Sequence, residues 1–110
     1  VIHVDDLVDA IFIAITSEKQ ANCSNTAIYN LGSDDFFKVR DSARWVANQL
    51  NLKPKFDFTG GERGWVGDQP KVHLDTTKIK SLGWRPKYDN KKAIETTTRW
   101  LIENDWVFDK

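Results

Sequence analysis

Apolar residues along the chain follow two different spacings, and these divide it into predicted helices and strands. Recurrence every three or four positions predicts four helices, over about 6–17, 41–50, 76–82 and 90–103. Alternating or short continuous apolar runs predict strands at 1–4, 27–31 and 55–59, with shorter extended pieces at 36–39 and 72–74. The predicted order is β-α-β-α-β-loop-α-α, a small mixed α/β unit.

The first predicted helix is apolar on nearly every side. Its apolar positions at helical spacing are Leu7, Ala10, Ile11, Ala14 and Ile15. A helix with apolar residues all around is normally covered on more than one face, so we expect further protein beside it. Aspartate 5 or 6 is predicted to cap this helix, Asn90 to cap the last one, and Gly83 to end the third.

Composition excludes several classes of protein. The 110 residues carry a formal net charge of zero, which argues against a nucleic-acid binder. No apolar run reaches the roughly 20 residues that a membrane-spanning helix needs. Cys23 is the one cysteine, so an internal disulfide is impossible and a reducing cytoplasm is the expected location. The chain has no methionine and opens in a predicted strand, so we expect it to be part of a longer protein.

A glycine pattern at 61–67 has the spacing of a dinucleotide-binding turn. Such a turn must lead directly into a helix, because the helix N-terminus receives the pyrophosphate. Here Asp68, Gln69 and Pro70 follow, and then a strand-like stretch. We therefore favour a chance match over a cofactor site.

Two other patterns also favour a structural interpretation. Tyr88 and Lys92 have the spacing of a catalytic tyrosine–lysine pair, but Tyr88 precedes the predicted helix rather than lying in it. His3, Asp5 and Asp6 lie together, yet metal sites usually need three or four converging ligands. We predict neither a catalytic residue nor a metal ligand at these positions.

Four motifs in order do carry a family resemblance. They are His-Val-Asp-Asp-Leu-Val-Asp-Ala at 3–10, Tyr-Asn-Leu-Gly at 29–32, Arg…Gly-Asp at 63–68 and Leu-Asp-Thr-Thr-Lys…Gly-Trp-Arg-Pro at 74–86. Together they resemble the C-terminal part of the extended short-chain dehydrogenase/reductase (SDR) family. These are the NAD-dependent nucleotide-sugar epimerases and dehydratases, and the closest likeness is to UDP-glucose 4-epimerase-like members.

The resemblance implies that residues 1–110 are a small mixed α/β C-terminal substrate-binding domain whose Rossmann half is missing. Residues 1–17 would be a linking strand and a helix that packs against that N-terminal Rossmann domain. The family's glycine fingerprint and catalytic residues lie upstream, so the resemblance implies NAD in the full-length parent and none bound to this chain. It implies that the isolated chain is inactive, whereas the parent interconverts nucleotide sugars through a transient 4-keto intermediate.

Arg63, Trp65 and Asp68 are the candidate substrate-binding residues. A guanidinium pairs bidentately with phosphate oxygens, and a carboxylate accepts hydrogen bonds from ribose hydroxyls. The resemblance implies these two roles for Arg63 and Asp68 toward a UDP-sugar, although the family commonly spaces the pair three apart rather than five. Trp65 stacks on a base or sugar, or else anchors the loop to the core. The alternative is an exposed loop arginine and a turn-forming aspartate.

Other functions remain open at this point. One is a non-catalytic NAD-binding regulator or a reductase-like protein of the same fold, since a fold does not fix its chemistry. Another is a free-standing small binding module whose tryptophans face a partner. An upstream tyrosine and lysine on one helix would favour the enzyme, and a chain that is monodisperse and does not bind UDP-sugars would favour the module.

Overall fold

The computed structural model describes residues 1–21, 26–61 and 71–109, with no side-chain description for 18–21. Within these ranges the helices are α1 (Val4–Ala21), α2 (Val39–Gln49), α3 (Thr77–Ser81), α4 (Asn90–Glu103) and a short 3-10 helix (Asp105–Phe108). All four predicted helices are confirmed, with ends displaced by a few residues. No described helix is long and apolar enough to cross a bilayer.

Helix α1 begins earlier than predicted, at Val4. The residue before it, His3, accepts the amide N–H of Asp5 at its ring Nδ1 (3.2 Å) and that of Leu7 at its carbonyl oxygen (3.1 Å). His3 is therefore the N-terminal cap, and the prediction of Asp5 or Asp6 is wrong. Both aspartates lie in the first turn instead, where their charge favours the positive end of the helix dipole.

The ends of α3 and α4 show how local chemistry sets their lengths. Gly83 follows α3 with φ +94°, a left-handed conformation that favours glycine, which confirms it as the stop. The cap of α4 is Asp89, whose Oδ1 accepts the amide N–H of Lys92 at 2.7 Å. The predicted cap, Asn90, is the first helical residue and is buried.

The described residues form no β-strand, so the strands predicted at 1–4, 27–31 and 55–59 are wrong, and the mixed α/β class is not confirmed. The predicted extended pieces at 36–39 and 72–74 are likewise unpaired, and α2 already begins at Val39. A strand exists only as one partner of a hydrogen-bonded pair, and alternating residues alone do not supply the partner. Residues 52–61 show this clearly, because all of them are exposed.

Two small groups of buried residues hold the helices together. Ala10 of α1, Ile79 of α3 and Trp84 form the main core, with Trp84 only 1% exposed. The Trp84 indole N–H donates to the backbone oxygen of Asp6 at 2.9 Å, so its one polar group is satisfied inside the core. Elsewhere, α2 packs against α4, and each contributes a buried alanine.

Helix α1 has an inner face and an outer apolar face. Ala10 is buried and Ala14 is partly buried, whereas Leu7, Ile11 and Ile15 are exposed. The large apolar residues on the outside, which we call the apolar row, are Val4, Leu7, Val8, Ile11, Phe12 and Ile15. The described residues leave this row uncovered.

Candidate functional site

The three predicted substrate-binding residues, Arg63, Trp65 and Asp68, lie outside the described residues, as does the glycine pattern beyond Gly61. Residues 72–74, which follow this segment in the sequence, form one wall of a cavity. The candidate site is therefore built from this cavity and its surroundings.

The cavity has a volume of about 370 Å³ and lies between residues 31–37 and 72–74, with the first two residues of the chain at its edge. We call it the 31–37 cavity. Volumes of about 300–1,000 Å³ are typical of small-molecule sites. Its apolar walls include Leu31, Phe36, Phe37, Val72 and Leu74. Ser33 and Asp35 supply polar groups to the same wall.

Helix α4 fixes the polar part of this wall. Asn90, only 4% exposed, accepts the Ser33 hydroxyl at Oδ1 (3.1 Å) and donates from Nδ2 to the backbone oxygen of Asp35 (2.9 Å). The carboxylate of Asp35 has no hydrogen bond or ion pair among the described residues. Asn90 therefore holds the backbone at Asp35, while the Asp35 carboxylate has no partner among the described residues.

The side chains of Lys71 and His73 lie beside the cavity. The Lys71 Nζ lies 4.4 Å from the centroid of the Phe36 ring, and the His73 ring centroid lies 5.7 Å from that of Phe36. Lys80 bonds both carboxylate oxygens of Asp34 at 2.7 Å. This hydrogen bond, aided by the charge of Lys80, holds the pKa of Asp34 below its ordinary value.

Further bonds fasten α3 beside the segment that leads into the cavity. Lys78 donates to the backbone oxygen of Ile28 at 2.9 Å, and its Nζ lies 4.5 Å from the Tyr29 ring centroid. Asp75 accepts the amide N–H of Thr77 at 2.9 Å, and hydrogen bonding from Thr77 lowers the pKa of Asp75. Helix α3 is therefore tied by direct contacts to residues 28 and 29, which precede the cavity wall.

A second polar cluster joins the start of α1 to residues 84–88, and we call it the α1 clamp. The Asp6 side chain is fully buried and accepts the amide N–H groups of Lys87 (2.8 Å) and Tyr88 (3.2 Å). The His3 ring stacks on the Tyr88 ring at 4.1 Å, and the Tyr88 hydroxyl donates to Asp5 at 3.3 Å. Among the described residues, no three His, Cys, Asp or Glu side chains are grouped to hold a metal. The polar groups of His3, Asp5 and Asp6 are therefore hydrogen-bonded within the chain.

The geometry of Tyr88 and Lys92 also disfavours a catalytic pair. Tyr88 precedes α4, as predicted, and the Lys92 Nζ lies 5.2 Å from the centroid of its ring. Desolvation, followed by the charge of Asp5, raises the pKa of Tyr88. A tyrosine that serves as a general base needs the opposite shift.

Sequence reasoning did not find the 31–37 cavity. Its walls come from two segments about forty positions apart in the sequence, and no local pattern joins them. The available signal was the pair Phe36 and Phe37 directly after two acidic residues in a predicted non-helical stretch. Aromatic residues left on a polar loop are typical of ligand sites and interfaces.

Several known proteins are similar to this chain over most of its length. The probable GDP-L-fucose synthase 1 of Oryza sativa subsp. japonica is 26% identical over 94% of this chain. The UDP-glucose 4-epimerase of Lactobacillus helveticus is 30% identical over 90%, and the dTDP-D-glucose 4,6-dehydratase of Mus musculus is 24% identical over 94%. All three are enzymes named for nucleotide sugars. No protein-family profile matches the chain.

Over 90% or more of its length, the chain is similar to enzymes of the extended SDR family of nucleotide-sugar epimerases and dehydratases. This confirms the resemblance drawn from the four sequence motifs. The chain spans 29% of the length of each of these three relatives.

Proposed function

We propose that this chain is the nucleotide-sugar-binding C-terminal part of an NAD-dependent epimerase/dehydratase with UDP-glucose 4-epimerase-like specificity. In the whole enzyme, nucleotide sugars would be interconverted through a transient 4-keto intermediate. The observation that carries the proposal is the similarity, over 90% or more of the chain, to several enzymes named for such substrates. The lone cysteine is consistent with a cytoplasmic location.

Arg63, Asp68 and Trp65 are the residues proposed to bind the substrate. Arg63 pairs with the pyrophosphate, since its planar guanidinium presents parallel donors to phosphate oxygens. Asp68 accepts hydrogen bonds from the ribose hydroxyls, and Trp65 stacks on the base or the sugar. The charge of Lys71, which follows these residues closely in the sequence, is consistent with an anionic ligand.

The apolar row of α1 supports a second part of the proposal, which is docking on an N-terminal Rossmann domain. Ile11 is 47% exposed and Phe12 is 65% exposed, and contiguous apolar surface of this kind marks an interaction site. The described residues themselves do not fit NAD, because no described strand enters a helix through a glycine-rich turn. NAD would therefore be held by that other domain.

Titration of the isotope-labelled chain with UDP and UDP-glucose, followed by NMR, tests the substrate-binding proposal. We expect weak binding, since one wall of the cleft would be missing, with the largest shifts at 63–68. The Arg63→Ala variant should abolish the diphosphate-dependent shifts. Arg44→Ala is the matched control, because Arg44 is exposed on α2 and pairs only with Asp41 among the described residues. Shifts confined to regions away from 63–68 would contradict the proposed site.

A turnover assay tests the expected inactivity of the isolated chain. Purified chain with UDP-glucose and NAD should form no UDP-galactose, because no described strand enters a helix through a glycine-rich turn that could hold NAD, and the pKa of Tyr88 is raised rather than lowered. Measurable turnover would show that the chain carries its own catalytic residues.

A further inference from the structure

We propose that the α1 clamp contains a proton-operated switch at His3, which caps helix α1 when its ring is neutral and pairs with the Asp5 carboxylate when its ring is protonated. Histidine is the side chain whose charge ordinarily changes between about pH 5 and pH 8, so a modest change of acidity operates the switch. The switch is independent of the proposed function, because it consists only of contacts within the described residues.

The role of His3 as a cap requires a neutral ring. Its Nδ1 lies 3.2 Å from the amide nitrogen of Asp5, which donates to it. A ring nitrogen accepts a hydrogen bond only through a lone pair, so Nδ1 is unprotonated and the one ring proton is on Nε2. A proton added at Nδ1 would face the Asp5 N–H, and this bond of the cap would be lost.

A second partner for the same nitrogen is already within ion-pair distance. The Asp5 Oδ2 lies 3.5 Å from His3 Nδ1. A protonated Nδ1 donates and no longer accepts, so its favoured partner changes from the amide N–H to this carboxylate. The Asp5 side chain is 61% exposed, so it can move toward the ring without giving up a buried contact.

Tyr88 connects the switch to the rest of the clamp. Its ring stacks on His3 with a centroid distance of 4.1 Å, and its hydroxyl donates to the same Asp5 Oδ2 at 3.3 Å. When His3 donates to this oxygen, the Tyr88 hydroxyl must share it or turn to water. The amide bonds of Lys87 and Tyr88 are made to Asp6 and stay in place. The switch therefore changes one end of the clamp without opening the whole of it.

The first turn of α1 carries part of the apolar row, so the switch acts on that surface. Val4, which is 60% exposed, directly follows His3. The Leu7 amide stays bonded to the carbonyl oxygen of His3 at 3.1 Å, because this bond does not involve the ring. Protonation therefore loosens the start of the apolar row and leaves the rest of the helix formed.

The charges on α1 act on His3 in opposite directions. The carboxylates of Asp5 and Asp6 favour a protonated ring, whereas the positive end of the helix dipole disfavours one. His3 itself is only 7% exposed, and burial also disfavours its charged form.

Two lysines from the elements packed against His3 complete its charged surroundings. Lys92 of α4 places its Nζ 5.2 Å from the centroid of the Tyr88 ring, on which His3 stacks, and so disfavours a second cation there. Lys87 is paired with Asp9. These neighbours oppose the carboxylates of α1, so we expect protonation to change the partner of His3 and not to unfold the chain.

Nitrogen NMR of the unchanged 110-residue chain tests the switch directly. At about pH 8, His3 Nδ1 should resonate as an unprotonated acceptor and Nε2 as a protonated donor. At about pH 5, Nδ1 should be protonated, and the Asp5 amide should be about fivefold less protected from hydrogen exchange, as expected for the loss of a cap. The Tyr88 ring protons should shift over the same range, because that ring stacks on His3. A protonated Nδ1 at the higher pH, or an Asp5 amide equally protected at both, would overturn the proposal.

The carboxyl carbon of Asp5 tests the second partner. It should respond over the same pH range as His3 Nδ1, since the two groups become an ion pair. The carboxyl carbon of Asp57, an exposed residue, is the control and should not respond in that range. An Asp5 carbon that behaves like that of Asp57 would refute the exchange of partners.

Substitutions at His3 separate capping from titration. His3→Asn keeps a side-chain oxygen that caps a helix and does not titrate, so the Asp5 amide should stay protected at both pH values. His3→Ala removes the cap, so the amide should be poorly protected at both. His73→Gln removes the other histidine, whose ring lies against Phe36, and should leave the pH response intact. A response that persists in His3→Asn would show that another group causes it and would overturn the proposal. If the variants at His3 do not fold, the nitrogen spectra of the unchanged chain decide.

Discussion

Replacing Asp6 with alanine tests whether the α1 clamp holds the fold together. Asp6 is fully buried, and its two carboxylate oxygens accept the amide N–H groups of Lys87 and Tyr88. Asp6→Ala leaves both donors without a partner. The nearby Trp84 bond is made to the backbone oxygen of Asp6, so the substitution leaves it in place.

The expected loss follows from the number of donors left unsatisfied. A buried N–H without a partner costs about 1–3 kcal/mol. The Lys87 bond at 2.8 Å is better than the Tyr88 bond at 3.2 Å, so we expect a combined loss of about 2–4 kcal/mol. A domain of this size has about 5–15 kcal/mol of stability in total. Asp6→Asn should lose less stability than Asp6→Ala, because its amide oxygen can still accept one hydrogen bond.

Urea unfolding followed by tryptophan fluorescence measures this loss. With a slope of about 1–3 kcal/mol per molar urea, the midpoint should fall by roughly 1–2 M. Hydrogen exchange should accelerate at the amides of Lys87 and Tyr88 in particular. Asp9→Ala is the control, since Asp9 pairs with Lys87 at the surface and should matter little. An unchanged midpoint with unchanged exchange at both amides would refute the reasoning.

Three further predictions address the helices and the cavity rim. Gly83→Ala should lower the free energy of unfolding by about 1 kcal/mol, because Gly83 has a positive φ. Gly32→Ala should leave the free energy of unfolding nearly unchanged, because an added Cβ would meet only ordinary contacts. Equal effects of the two substitutions in urea unfolding would contradict this. Ile11→Gln should change stability by less than about 0.5 kcal/mol, because Ile11 is 47% exposed; a loss well above that would show that the apolar row is covered within the chain itself. The pKa of Asp34 lies below its ordinary value, so its contribution to stability is present above that ordinary value and is lost as the pH falls through the lowered pKa. Carboxyl NMR titration should show this pKa rising toward normal in Lys80→Met, and an unchanged pKa would mean that the ion pair does not form in solution.

The helices were predictable because their determinants are local. Apolar spacing and the glycine at 83 lie within a few positions of the elements they define. The inner face of α1 was less predictable, since Asp6 looks like a surface residue until its partners are known. Those partners, Lys87 and Tyr88, are 81 and 82 positions away in the sequence. A pattern of single residues does not encode such a pairing.

The strands and the cavity were not predictable for the same reason. The alternation of polar and apolar residues at 55–59 indicates which side chains would share a face of a strand. A strand also requires a neighbouring strand, which the local sequence does not specify. The cavity needs residues 31–37 and 72–74 to meet, and Asn90 to hold the loop between them. The roles of Arg63 and Asp68 were inferred from the resemblance to a family and not from a local pattern. These roles stay predictions.

The α1 clamp also has a consequence for the order in which the chain folds. Its bonds join positions 78 to 82 residues apart, so it closes a loop that contains most of the polypeptide. Contacts of such long range form only after the entropy of loop closure has been overcome, which slows folding. During synthesis, α1 emerges from the ribosome long before Trp84, Lys87 and Tyr88. The inner face of α1, with Asp6 and Ala10, must therefore wait for its partners until the distal segment has been made.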